Sequence, residues 1–350
     1  MDADCFYGSC GPVFFKTYPY ILPRWLDNGL LVVVVLVAGI LSWQGQSENT
    51  RCRMIHAAEK EEWKEVLSDA KCAGASVPLI SAALAKENRL LDEMFHYGNP
   101  GTKKTLFETP NEQLSIVNIQ VLRSLGLYYY AYQLAYENMV FRAPSIYSFH
   151  QLGELALINN ETELAKKYLT TLSHSWLWKE EADVWIQMLD NPELLEKKLS
   201  DIRQLQPSYD YLGSSYSGFE SMVIYNYAFS QRNVMSLQYA VAALLIQKRI
   251  KDLPAWIPVL KETFKQSLPL HVQEALALRA GLDPTFVLSD GWVDENVNRQ
   301  LKEFLRLYSS AKDPEAAMKL TKLYKQTYWY YYMFASANSG ADENANYDQR

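Results

Sequence analysis

The segment LGELALINNETELAKKYLTTLSHS, Leu152–Ser175, contains the pattern that decides the fold. Asn159-Asn160 divides it into two helix-length halves. Each half contains one small residue of the pattern, Gly153 in the first and Ala165 in the second. Small side chains allow two helices to approach closely, while larger neighbours fill the space around the contact. The spacing predicts a helix–turn–helix hairpin of the tetratricopeptide type, with Leu169 in place of an aromatic residue. The residues of this pattern are Phe149, Leu152, Gly153, Ala165 and Leu169.

The same spacing occurs one unit earlier in the chain. Gly126 and Asn160 end successive predicted helices and are 34 residues apart, as are Ala131 and Ala165. This is the tetratricopeptide period, although the neighbouring units match the pattern less closely. We therefore predict an all-α fold in which a tetratricopeptide-like solenoid of helical hairpins spans residues 48–335. The alternative is an ordinary helical bundle in which the period is coincidental.

Helical periodicity continues to the end of this region. Asp313-Pro314 is predicted to begin a final helix, because Asp is a favoured N-cap and Pro suits the first helical turn. Leu320, Tyr324, Tyr328 and Tyr331 would then lie along one face of that helix. Other helices are predicted to break at Gly74, Gly126, Asn159-Asn160, Asn191-Pro192, Gln206-Pro207, Arg232-Asn233, Gly281 and Asp290-Gly291.

An uncharged run, LLVVVVLVAGIL, occupies Leu30–Leu41. Trp25 and Trp43 flank it 18 residues apart, a helix length of about 27 Å, close to the thickness of a bilayer core. We predict a single transmembrane helix over residues 25–43, preceded by a leader over 1–24. A cleaved signal peptide and a buried core segment are the alternatives. The nearby Lys and Arg residues are too evenly divided to decide on which side of the membrane the helical domain lies.

Several segments of the helical region together resemble an uncharacterised family of bacterial membrane proteins with a helical-repeat C-terminal half. The resemblance implies several transmembrane helices ahead of the repeats, whereas this chain has one such segment. The family has no assigned activity, so the resemblance implies no catalytic residue. The segments are EEWKEVLSDA (Glu61–Ala70), SAALAKENRLLDEMFHY (Ser81–Tyr97), LGLYYYAYQLAYE (Leu125–Glu137), Leu152–Ser175 and TYWYYYMF (Thr327–Phe334).

The composition excludes several functional classes. The net charge of −6 gives no general attraction to nucleic acid. The four cysteines, Cys5, Cys10, Cys52 and Cys72, have no metal-ligand spacing and are too few to cross-link a chain of 350 residues. His56, His96, His150, His174 and His271 form no metal or catalytic motif and are predicted to be surface or hydrogen-bonded residues. We predict no metal, no cofactor and no enzymatic activity.

Tyrosine is the residue type that points most clearly to binding. Tyr209, Tyr211 and Tyr216 lie in the segment PSYDYLGSSYSG, which is predicted to be a loop between helices. Tyrosine combines an apolar ring with a polar hydroxyl, which suits peptide and sugar surfaces, although packing between repeats is the alternative role. The polar C-terminal segment, residues 336–350, is predicted to be a disordered tail.

These observations predict a membrane-anchored, non-enzymatic scaffold that binds a peptide or protein partner on its helical surface. One alternative is a glycan-contacting accessory protein at the cell surface that uses the three loop tyrosines. Another is an enzyme whose catalytic residues come together only in the folded chain. A carboxylate cluster in an aromatic pocket would favour these alternatives, and a groove lined by the first helix of each hairpin would favour the scaffold.

Overall fold

The computed structural model describes residues 46–97, 106–108, 116–207, 223, 227, 233–265 and 267–335. Every regular element over these residues is helical, so the all-α prediction is confirmed. None of the helices described is both long and apolar enough to cross a membrane. The predicted leader, transmembrane segment and tail lie outside the described residues.

The first part of the described chain consists of helices in consecutive pairs. Trp63 is the first residue of the second helix. The bounds are α1 (46–59), α2 (Trp63–Ser68), α3 (Val77–Lys86), α4 (Leu90–Glu93), α5 (Ile116–Ser124), α6 (Tyr128–Arg142), α7 (Ile146–Ile158), α8 (Thr162–Leu172), α9 (Lys179–Leu189) and α10 (Pro192–Arg203).

One type of turn joins four of these pairs. The turn residue has a left-handed φ, its N–H donates to the carbonyl three residues back, and the next N–H donates to the carbonyl five residues back. This is the Schellman ending of a helix. The next helix begins two residues later in each pair. The turn residues are Glu61, Asn88, Gly126 and Asn160, separated by 27, 38 and 34 residues, so only the last interval has the predicted length.

The C-terminal helices return to the early hairpins. Helix α11 begins beside the α5–α6 turn, where Asn233 Nδ2 donates to the Leu125 carbonyl over 2.8 Å. Farther along α11, Gln238 Nε2 donates to the Ala85 carbonyl at the end of α3. In a linear solenoid each repeat contacts only its neighbours, so this packing departs from the predicted stack. These helices are α11 (Val234–Ile246), α12 (Ile257–Thr263), α13 (Leu270–Leu282), α14 (Glu295–Ser310), α15 (Pro314–Leu320) and α16 (Tyr328–Phe334).

The prediction of one continuous final helix is wrong. Asp313 does cap α15, accepting from the Ala316 N–H over 2.8 Å, but that helix ends at Leu320. The Thr321 hydroxyl then donates to the Ala317 carbonyl, and the Thr327 hydroxyl oxygen caps the separate helix α16. Short hydroxyl side chains offer the backbone hydrogen bonds that compete with helix continuation.

Candidate interaction surface

The α7–α8 hairpin contains the residues of the predicted repeat pattern. Leu152, Ala165 and Leu169 are buried, and Phe149 is half-buried with its ring centroid 6.0 Å from that of Tyr168. A methyl group at Gly153 would lie 3.4 Å from both Leu169 Cδ2 and Tyr168 Cβ. The two helices therefore leave room for little more than a methyl group at this position. Ala131, one unit earlier in α6, is also fully buried.

Leucine at Gly153 or Ala165 should reduce the free energy of unfolding by about 1–3 kcal/mol, because the added carbons overpack this contact. Leucine at Ala131 should have a similar cost. The control is leucine at the exposed Lys166 of α8, which should change stability by no more than about 0.5 kcal/mol. Urea unfolding of a fragment over residues 46–335 measures all four variants. Equal stability of the four would show that the hairpin contact is not close.

A polar network joins the first helices of three hairpins. Tyr147 of α7 donates its hydroxyl to Glu59 of α1, and Gln120 of α5 donates to the same carboxylate over 3.2 Å. Gln151 donates to the Tyr147 hydroxyl over 3.0 Å. Burial, followed by the charge of Glu59, raises the pKa of Tyr147, so this phenol stays neutral. The carboxylate is thus bound by the protein's own side chains, and this arrangement stabilises the hairpins against one another.

A second polar cluster joins α7 to α9. The His150 ring stacks on Trp178 with centroids 3.8 Å apart, and its Nε2 lies 3.1 Å from Glu181 Oε1. The hydrogen bond from His150 lowers the pKa of Glu181. Trp185 lies beneath Lys198 of α10, whose ammonium is 4.1 Å from the ring centroid. The cavity between these side chains measures about 10 Å³, which is too small for an organic ligand.

Five exposed apolar side chains lie near the end of α6, at the start of α7 and in the connection after α8. Three residues separate the end of α6 from the start of α7, and the start of α7 lies beside the end of the antiparallel α8. Trp176, just after α8, is 92% exposed, and Phe141 is 78% exposed. We call this cluster the apolar end; its residues are Val140, Phe141, Ile146, Trp176 and Leu177.

The backbone at the apolar end is also unusual. Ala143 has φ +78° and ψ 150°, a region that only glycine adopts readily. Ser145 and Ser148 immediately afterwards form a capping box, which fixes the start of α7. Strained residues of this kind concentrate at binding and catalytic sites, where the surrounding structure holds them in place.

Comparison with known proteins places the chain in a family. The sequence profile of the DUF6057 family, described as a family of unknown function, matches residues 11–335. The chain belongs to the DUF6057 family. No curated protein and no solved structure gives a significant match. The predicted membership of an uncharacterised family is therefore confirmed. Its bacterial origin, membrane location and tetratricopeptide-like repeats remain predictions for this DUF6057 chain.

The remaining residues singled out in the sequence lie in different places. Tyr209, Tyr211 and Tyr216 are outside the described residues, as are Cys5 and Cys10. Cys52 and Cys72 are exposed free thiols. Among the described residues of this DUF6057 chain, no three His, Cys, Asp or Glu side chains are placed to bind a metal ion.

One histidine, His271, is hydrogen-bonded as predicted, but only through one of its two ring nitrogens. His271 is fully buried; its Nδ1 lies 2.8 Å from Glu274 Oε2, but its Nε2 has no hydrogen-bond partner. The same carboxyl oxygen accepts from the Tyr328 N–H at the start of α16 over 2.7 Å. Sequence reasoning missed this cluster, although two polar residues three apart in a helical segment were a visible signal. With no exposed surface, the cluster supports the position of α16 and offers no access to a substrate.

Proposed function

We propose that this DUF6057 protein is a membrane-anchored, non-enzymatic scaffold that binds a peptide or protein partner. The apolar end is the observation on which the proposal rests. Monomeric proteins rarely leave several large apolar side chains exposed together, and buried aromatic residues provide much of the energy of protein interfaces. Trp176 and Phe141 are the two aromatic residues available there for that purpose.

The repeated hairpins support the scaffold part of the proposal. Four helix pairs share the Schellman turn and the same short connection, as expected of tetratricopeptide-like units. We propose that this stack covers residues 46–203. Helices α11 and α13 would cover the second hairpin of this stack, because both pack against α4. The stack would hold the apolar end in a fixed geometry, which lowers the entropy lost on binding.

The position of the binding surface differs from the groove that the sequence suggested. Side chains of α1, α5 and α7 meet in the network around Glu59, so the first helices of these hairpins bind one another. The apolar end lies where hairpins are joined to each other, and its side chains extend into solvent. We therefore place the partner at the connections after α6 and α8. The membrane anchor would be the apolar segment over residues 25–43, which fits the length of a bilayer span.

The test is capture of partners by the tagged full chain from detergent-solubilised membranes. Serine at both Phe141 and Trp176 should reduce recovery of a specific partner strongly, since losing an aromatic hot spot costs on the order of 2 kcal/mol, about a thirtyfold loss of affinity. The matched control is Leu323→Ser, because Leu323 is also highly exposed but lies between α15 and α16.

Two outcomes would contradict the proposal. If the double variant recovers the same partners as the wild type, the apolar end is not the binding surface. If the full-length chain with an intact N-terminus is washed from membranes by alkaline carbonate, the anchor part is wrong. Because the two results are independent, the experiment tests the binding surface and the anchor separately.

A further inference from the structure

A cleft of about 610 Å³ opens between the turn after α11, the end of α13 and helix α16. Its lining contains four cationic and two acidic residues, a net charge of +2 in a chain whose overall charge is −6. The charged residues are Lys248, Arg249, Lys251, Arg279, Asp252 and Asp283.

Each of the two acidic residues accepts hydrogen bonds from a residue two or three positions away in the sequence. Asp252 Oδ2 accepts from Arg249 Nε over 2.7 Å. Asp283 Oδ1 accepts from the hydroxyl of Thr285 over 2.6 Å and from its N–H over 3.0 Å. These hydrogen bonds lower the pKa of Asp283, so its carboxylate is satisfied within its own turn. The charges of Arg279 and Lys251 also lower the pKa of Asp283, but neither carboxylate is hydrogen-bonded to these two cations among the described residues.

Arg279 is held in a fixed orientation with unused donors. Its Nη1 donates to the Lys251 carbonyl over 2.9 Å, and its guanidinium lies 4.0 Å from the ring centroid of Phe286. Its Nε is buried and has no hydrogen-bond partner. A guanidinium that is already oriented loses little entropy when it binds an oxyanion. Lys251 is exposed, and among the described residues its ammonium forms no hydrogen bond or salt bridge.

We propose that this cleft binds an organic phosphate monoester. Such a group carries a charge of about −1.5 to −2 at pH 7, which matches the net charge of the lining. Ligand pockets commonly measure about 300–1,000 Å³, so a cleft of this size accommodates an organic body beside the phosphate. Leu282, Pro284 and Tyr332 provide an apolar surface for that body.

A purely structural role for the basic residues would leave fewer of their donors unused. Helices α11 and α16 end near the cleft, and cations commonly bind the free carbonyls of helix ends. Lys248 has that role: its ammonium donates to the Tyr332 carbonyl over 2.8 Å and also to the Ala335 carbonyl. Lys251 and the Nη2 group of Arg279 bind no helix end among the described residues, and we assign these groups to the phosphate.

Isothermal titration calorimetry of the full chain in a phosphate-free detergent tests the site. The probes are glycerol 3-phosphate, its dihexanoyl ester and inorganic phosphate. We expect saturable binding of one organic phosphate per chain, weakened by added salt. Tighter binding of glycerol 3-phosphate would identify a soluble phosphate ester as the ligand class. Tighter binding of the dihexanoyl ester would identify a lipid headgroup, and either result supports the site.

The matched variants are Lys251→Gln and Lys166→Gln, which remove exposed lysines inside and outside the cleft. The first should weaken binding by about fivefold, the effect of one lost charge contact near a surface, and the second should leave it unchanged. Neither lysine supports a helix end, so both variants should fold. No saturable binding, equal affinity of the two variants, or inorganic phosphate bound as tightly as both esters would overturn the proposal. The outcome is independent of partner binding at the apolar end.

Discussion

Alanine at Gly126 should destabilise the chain by about 2–5 kcal/mol. Two effects combine at this position. Gly126 has φ +77°, where a residue with a Cβ costs roughly 1–2 kcal/mol. The new methyl group would also lie 2.7 Å from the Leu205 carbonyl carbon and closer still to its oxygen, and overpacking of this kind adds about 1–3 kcal/mol. The contact joins the α5–α6 turn to the segment after α10, so relieving it requires the hairpins to move apart.

Substitutions at two other glycines allow the backbone strain and the steric overlap to be measured separately. Gly291 has φ +73° but open space around it, so Gly291→Ala should cost only the strain of about 1–2 kcal/mol. Gly281 lies within α13, also with open space, so Gly281→Ala should stabilise by about 0.5–1 kcal/mol. Urea unfolding of the three variants gives the order of their stabilities. If Gly126→Ala were no more harmful than Gly291→Ala, the close approach of Leu205 would be disproved.

The turns show which parts of the fold were visible in the sequence. Gly126 and Asn160 were predicted as helix ends because glycine and asparagine tolerate a left-handed φ. Glu61 and Lys248 adopt the same conformation without any such preference, so surrounding packing decides these turns. Local pattern therefore identified Gly126 and Asn160, but it missed the turns at Glu61 and Lys248 and also the turn at Asn88, although asparagine favours that conformation.

Long-range contacts explain the other differences. The periodicity of Val234–Ile246 indicated a helix but did not identify its neighbours. Its contact with α3 depends on Gln238 reaching a carbonyl 153 residues earlier, which no local pattern encodes. The apolar end was missed for a similar reason. Phe141 and Trp176 are 35 residues apart, and the exposure of each side chain is decided by how the helices pack.

Alanine at Glu274 should reduce the free energy of unfolding by about 3–5 kcal/mol. Its buried carboxyl group is hydrogen-bonded to His271 Nδ1 and to the Tyr328 N–H, and alanine would leave both groups buried without a partner. Leaving a buried hydrogen-bonding group without its partner costs roughly 1–3 kcal/mol. The control is Glu303→Ala, which breaks an exposed pair with Arg306 and should leave the stability close to that of the wild type. Urea unfolding measures both variants.

A double substitution tests whether the lower stability of Glu274→Ala comes from buried polar groups that have lost their partners. Leucine at both His271 and Glu274 replaces the polar pair with apolar side chains, and such replacements are often close to neutral. The double variant should therefore be more stable than Glu274→Ala, even though it changes more residues. Leaving the Tyr328 N–H without its acceptor should still loosen α16, so limited proteolysis should cut residues 321–327 faster in both variants. If Glu274→Ala were as stable as Glu303→Ala, with unchanged proteolysis, the buried carboxyl group would not be what holds the C-terminal helix.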